Sequence, residues 1–248
     1  MASSNRNPAP SPAAGVGEES TPPGKTETLP TKAIYASAKL VQPMKPISQI
    51  KQHACSFALY GHDLSRQLEI DIFLSRRNND FLQCAVYDSD KPSARLIGVE
   101  YIISAPLLER LPPEEQRLWH SHAYELKAGQ WVHPRVPELI ETKEVENLAR
   151  TYGKFWCTWQ VDRGDRLPMG APALMMSPQG ASAGKVRMEL VKKRDERLGI
   201  SSEELKESRV EISEPEWIHP NADYWKQHGK GFAVDVVPTE MKRIAPFP

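Results

Sequence analysis

Between residues 53 and 103 short apolar runs are separated by polar breaks, and the runs are enriched in β-formers. Cys55–Tyr60 reads as one strand. Glu69–Leu74 alternates polar and apolar positions with the period of two that a half-buried strand requires. Leu82–Tyr87 and Ala94–Ile103 read as two more, and the Asp88-Ser89-Asp90-Lys91-Pro92-Ser93 link between them is turn chemistry, so they pair as an antiparallel hairpin. Phe155–Val161 is a further β-prone run.

Helical signals fill the remainder. Ser104 caps a short helix with Pro106 in its first turn, and Pro112-Pro113-Glu114-Glu115 opens a second that runs into Trp119 and His120. Residues 136–152 carry an amphipathic stripe that Gly153 terminates. Val186–Leu198 is a helix ending at Gly199, and Ser201 caps a polar helix that reaches about Arg209. The sum is an α+β domain: a mostly antiparallel sheet, with strands mainly in residues 54–103 plus 155–161, packed by helices. Residues 1–45 are Pro- and Ser-rich and read as a disordered tail, with a short helical piece ahead of Pro43. Residues 46–212 form the globular domain, and 213–248 an extension whose aromatics pack back onto it.

Thirty-two basic and 32 acidic residues cancel, so charge gives no reason to expect nucleic acid as a partner. Cys55, Cys84 and Cys157 are too few and too far apart for a disulfide framework or a structural zinc knot, which points to a reducing, cytoplasmic setting. No run is long enough to predict a transmembrane segment.

Chemistry concentrates in Leu118–Glu125, which holds two of the seven histidines. If the segment is extended, His120, His122 and Tyr124 share a face, and the two histidines suit a divalent metal. If it is helical, His122 and Glu125 become neighbours three positions apart. The candidate metal or ligand residues are therefore His120, His122 and Glu125, joined by His53 and His62 if folding brings the ends of the first strand to them. No P-loop, dinucleotide fingerprint or nucleophile elbow is present, so no catalytic residues are assigned and the bound cofactor is unknown beyond a possible divalent metal.

Several blocks together resemble the oil body-associated protein family, a domain of unknown function found in plants, fungi and bacteria. They are Gln52-His53 with Cys55 and Phe57; Tyr60 and His62-Asp63; Gln83-Cys84 with Val86–Asp90; Ala94–Gly98 with Glu100-Tyr101; Leu118–His122 with Glu125; Thr151–Lys154; Trp159–Asp162 with Gly164-Asp165; and Met175-Met176. The resemblance implies a peripheral protein of lipid droplets, or oil bodies, acting as a structural or interaction factor in droplet formation or stability. Its partners would be the droplet surface or droplet-resident proteins. The long Pro-rich N-terminus reads as an addition to the family domain. The alternative is a metal-dependent enzyme or small-ligand binder using His120, His122 and Glu125. For contact with lipid the 136–152 helix is the amphipathic candidate, although its many glutamates favour a core-facing role.

Overall fold

The computed structural model describes residues 4–6, 22–213 and 215–241, with backbone alone for 138, 139 and 182. Residues 1–3 and 7–21 of the tail assigned as disordered lie outside the described residues. The helical piece expected ahead of Pro43 is α1 (Leu29–Val41), capped by Thr28, and none of its side chains is buried.

The strands are β1 (Gln52–Tyr60), β2 (Asp63–Asn78), β3 (Phe81–Tyr87) and β4 (Leu96–Ser104). Two short helices, α2 (Ala105–Glu109) and α3 (Pro113–Gln116), lead to the two-residue strand β5 (His120–Ser121) and to α4 (Ala123–Lys127). Then come α5 (Glu138–Leu148), β6 (Thr151–Cys157) and β7 (Ala173–Met176). The chain ends its regular structure with α6 (Met188–Leu198), α7 (Ser202–Ser208) and α8 (Tyr224–His228).

The α+β sheet expected from the sequence is not what forms. Strands β4-β3-β2-β1-β7-β6 follow one another, and β6 also pairs with β4, so six antiparallel strands close into a barrel. Strand β5 is an addition, pairing with β6 through His120 opposite Gly153 and Ser121 opposite Tyr152. The physical reason lies in β6. The apolar stripe carries the expected helix on to residue 152, but residues 151 and 152 are strand residues, and β6 runs from Thr151 rather than from Phe155. That extra length gives β6 seven register pairs with β4, from Gly98 opposite Cys157 to Ser104 opposite Thr151. Both ends of the sheet are thereby paired, which removes the open edges.

Alternate residues point inward. Ala54, Ala58 and Tyr60 of β1, Ile70, Ile72 and Leu74 of β2, Leu82, Cys84 and Val86 of β3, and Phe155 and Cys157 of β6 form one buried cluster. The other face of β1 is covered as well, because Phe57 packs on Val186 and on Val191 of α6. This double burial explains why β1 reads as a continuous apolar run rather than an alternating one. Helix α5 faces the core through Val145 and Leu148, as its acidic surface suggested. At the C-terminal end, Trp225 of α8 packs against Leu174 and Met176 on the outside of β7.

Candidate functional site

The barrel interior is not wholly apolar. Glu100 shares the inward face of β4 with Gly98 and Ile102, and its carboxylate is buried among imidazoles. His120 Nε2 lies 3.1 Å and His122 Nε2 3.4 Å from the same oxygen, Glu100 Oε1. The two rings meet edge to face with centroids 5.2 Å apart, and Trp131 packs beside His122.

Neither single conformation considered for Leu118–Glu125 is adopted. His120 is in a strand, whereas His122 is helical in backbone and precedes the first turn of α4. The break in conformation between them is what turns both Nε2 atoms toward Glu100 while Tyr124 departs to pack on Gly180. The i, i+3 relation does bring Glu125 close, with Oε1 3.9 Å from His122 Nε2. Glu125 also accepts a short hydrogen bond from the Ser56 hydroxyl of β1.

Gly153 of β6 sits opposite His120. A Cβ at this position would lie no more than 2.5 Å from Glu100 Oε1, His120 Nε2 and His122 Nε2 at once. The residue that sequence periodicity assigns as a helix stop is instead the floor of the site, and it is glycine because three donor atoms converge above it.

Burial pushes the Glu100 carboxyl up, but hydrogen bonds and charge from the two imidazoles outweigh it and hold the group at about 2. Burial pushes His120 down; the bond to Glu100 and the surrounding carboxylates reverse this, so its value is raised. Glu125 is raised above the ordinary carboxylate range by burial, against the pull of His122 and Ser56. The polar centre therefore sets one carboxylate oxygen, Glu100 Oε1, against two imidazole nitrogens.

His53 and His62 do not join it. His53 projects from the outer face of β1, stacks on Phe73 and bonds Asp71 at 2.7 Å. His62 lies in the β1–β2 turn, edge-on to Tyr60, with its value lowered by burial and by Arg66. A second group of potential ligands, Cys55, Glu69 and Asp71, already has a cation: the Arg197 guanidinium is 2.5 Å from Glu69 and 3.8 Å from Asp71. The charged loop after β6 is likewise paired from outside itself, since Asp162 binds Arg66 of β2 and accepts from Tyr60.

The residue that sequence reasoning missed is Glu100. Its signal was a lone acid on the Gly98, Glu100, Ile102 face of an otherwise apolar strand, a placement that requires a buried partner.

A family model described as "Protein of unknown function (DUF1264)" matches residues 44–213, a span that contains the whole polar centre. The chain is 64% identical to oil body-associated protein 2B of Zea mays, over 100% of both chains. It is 56% identical to oil body-associated protein 2A of Arabidopsis thaliana, again over 100% of both, and 40% identical to oil body-associated protein 1B of Arabidopsis thaliana over 90% of each. The Pro-rich N-terminus, expected to be an addition, thus has counterparts in the 2B and 2A relatives. No solved structure matches. A family model across the barrel and relatives of this identity from end to end establish that the chain belongs to the oil body-associated protein family.

Proposed function

We propose that the protein associates peripherally with the surface of oil bodies, from the cytosolic side, and that α1 is the element lying in the interface. The carrying observation is the exposure of that helix: Leu29, Leu40 and Val41 are each more than 80% exposed. Leu29, Ala33, Ile34, Leu40 and Val41 share one broad side at helical spacing, and Lys32, Tyr35 and Lys39 share the opposite one. The helix has no acidic residue. An apolar face backed by lysines suits a phospholipid monolayer carrying anionic headgroups, where the apolar side enters the acyl boundary and the ammonium groups stay at headgroup level. Among the described residues no helix is long and apolar enough to cross a membrane. This element supersedes the 136–152 segment as the lipid-contacting candidate, because the apolar positions Val145 and Leu148 of α5 are used inside the fold.

The names of the relatives agree with this reading and contain no reaction, so the enzyme alternative gains no support. A fluorescent fusion of the full chain is expected to ring oil bodies in lipid-loaded cells, and Ile34→Glu/Leu40→Glu/Val41→Glu to release it to the cytosol. A wild-type fusion that never reaches oil bodies overturns the association. Undiminished recruitment of the triple variant overturns the role of α1 alone.

A further inference from the structure

We propose that Glu100, His120 and His122 form a buried binding site for one divalent first-row transition-metal ion, seated above Gly153. The inference is independent of oil-body association and rests on the direction of lone pairs.

Thr151 donates its hydroxyl proton to Leu148 O at 2.6 Å. Its oxygen, 3.0 Å from His122 Nδ1, is therefore the acceptor in that contact, and His122 carries its proton on Nδ1. The lone pair of Nε2 then faces Glu100 Oε1 at 3.4 Å. An imidazole lone pair and an ionised carboxylate oxygen repel each other in a medium as dry as this barrel unless a positive centre lies between them. His120 Nε2 brings a third donor atom to the same point, and all three donors lie within 4.8 Å of one another. Ligand atoms on a four-coordinate ion with bonds of about 2.0–2.1 Å are separated by about 3.4 Å, close to the 3.1 and 3.4 Å found here.

Space and surroundings fit as well. The absent side chain of Gly153 leaves a position within 2.5 Å of every donor. Beside it is an internal cavity of about 10 Å³ bordered by Glu100, His120, Glu125 and Ser177, room for roughly one water-sized ligand. The Thr151 hydroxyl orients one ligating ring as an outer-shell partner does. Two imidazoles and a carboxylate are a donor set for zinc, iron(II) or manganese rather than for calcium or magnesium, which prefer oxygen throughout. With all three residues at most 3% exposed, the ion would be enclosed as the chain folds.

The rival occupant is a proton on His122 Nε2, which would make the cluster a purely hydrogen-bonded imidazolium–carboxylate pair. Tag-free, full-length protein from cells grown with supplemented trace metals, purified without chelator, separates the two by elemental mass spectrometry. About one zinc, iron, manganese or other first-row ion per chain is expected, with an X-ray absorption spectrum showing imidazole nitrogen and oxygen ligands and no sulfur. Glu100→Gln and Gly153→Ala, the second filling the seat while leaving all three ligand residues unsubstituted, should each lose it. Thr151→Val should keep the ion at saturation but weaken cobalt(II) binding, titrated during refolding, by roughly 10–100-fold. Folded wild-type protein that is metal-free and takes up no cobalt(II) or zinc on refolding overturns the proposal in favour of the proton. Full occupancy in folded Glu100→Gln overturns the assignment of ligands. Should neither variant fold, the wild-type stoichiometry and ligand spectrum decide.

Discussion

Glu141 illustrates how one side chain in this fold serves several partners. It accepts from the backbone N–H of His133 at 3.0 Å and from the Arg209 guanidinium at 2.9 Å. Burial pushes its carboxyl up, yet His133 and Arg209 prevail and hold it below the ordinary glutamate range. A group whose value is depressed on folding stabilises the native state wherever pH exceeds its unfolded value, roughly 4.3, and ceases to do so as pH falls through the folded value. Glu141→Gln is therefore expected to melt below the wild type at neutral pH, and the gap in Tm should close under acid conditions below about pH 4. Thermal melts of both proteins across that range test the sign, and a gap that widens toward acid would contradict it. Sequence could not have found this cluster. Glu141 sits in an acid-rich helix where any of several glutamates looks solvated, and the His133 N–H and Arg209, far along the chain, make it different.

At the scale of elements, legibility tracked how local the determining signal is. Helix α6 was readable because its boundary is set within the helix: straight-chain charged residues, then Gly199 in the left-handed conformation at φ 65°. Helix α7 was readable for the same reason, since Ser201 accepts from the Glu204 N–H. What local pattern did not reveal is the use of α6. Arg194, in a helix that reads as solvated, is fully buried over Phe57. It donates to Gly129 O, Gln130 O and Ser202 Oγ, and to Asp195 beside it. This guanidinium ties the 129–131 turn, α6 and α7 together against the outer face of β1. Replacing it with leucine strands the Gly129 and Gln130 carbonyls, while Asp195 keeps its donors from the Ser202 N–H and hydroxyl, so Arg194→Leu should cost about 2–5 kcal/mol in urea unfolding. A loss below about 1 kcal/mol would mean that water takes over those acceptors and that the turn is held by its apolar contacts instead.

For the whole molecule, local pattern marks β1 to β4 and part of β6 but not the pairing that closes the barrel. Residues 98–104 and 151–157 are brought together across α2, α3, β5, α4 and α5, and nothing in either segment names the other. Glycine marks the seam: a Cβ at Gly98 would press on the Trp156 carbonyl and the Phe155 ring, so β4 and β6 approach as they do because residue 98 lacks one. Gly98 and Gly153 read as interruptions of local pattern, and both make sense only once the barrel is closed.

Closure also divides the molecule into parts that answer to different forces. The barrel buries its apolar surface internally, whereas α1 contributes no buried side chain to it. The two should therefore be energetically separable. Surface substitutions away from packed contacts usually change stability by less than about 0.5 kcal/mol. The variant Ile34→Glu/Leu40→Glu/Val41→Glu is accordingly expected to keep the wild-type Tm and urea midpoint while losing affinity for phospholipid-coated triacylglycerol emulsions. Flotation assays and melts on the same preparations test this together. If the triple variant melts several degrees lower, α1 packs on the barrel in solution, and its release from that surface becomes part of binding. If Tm holds and flotation fails, the helix is a lipid-facing arm on a self-sufficient barrel.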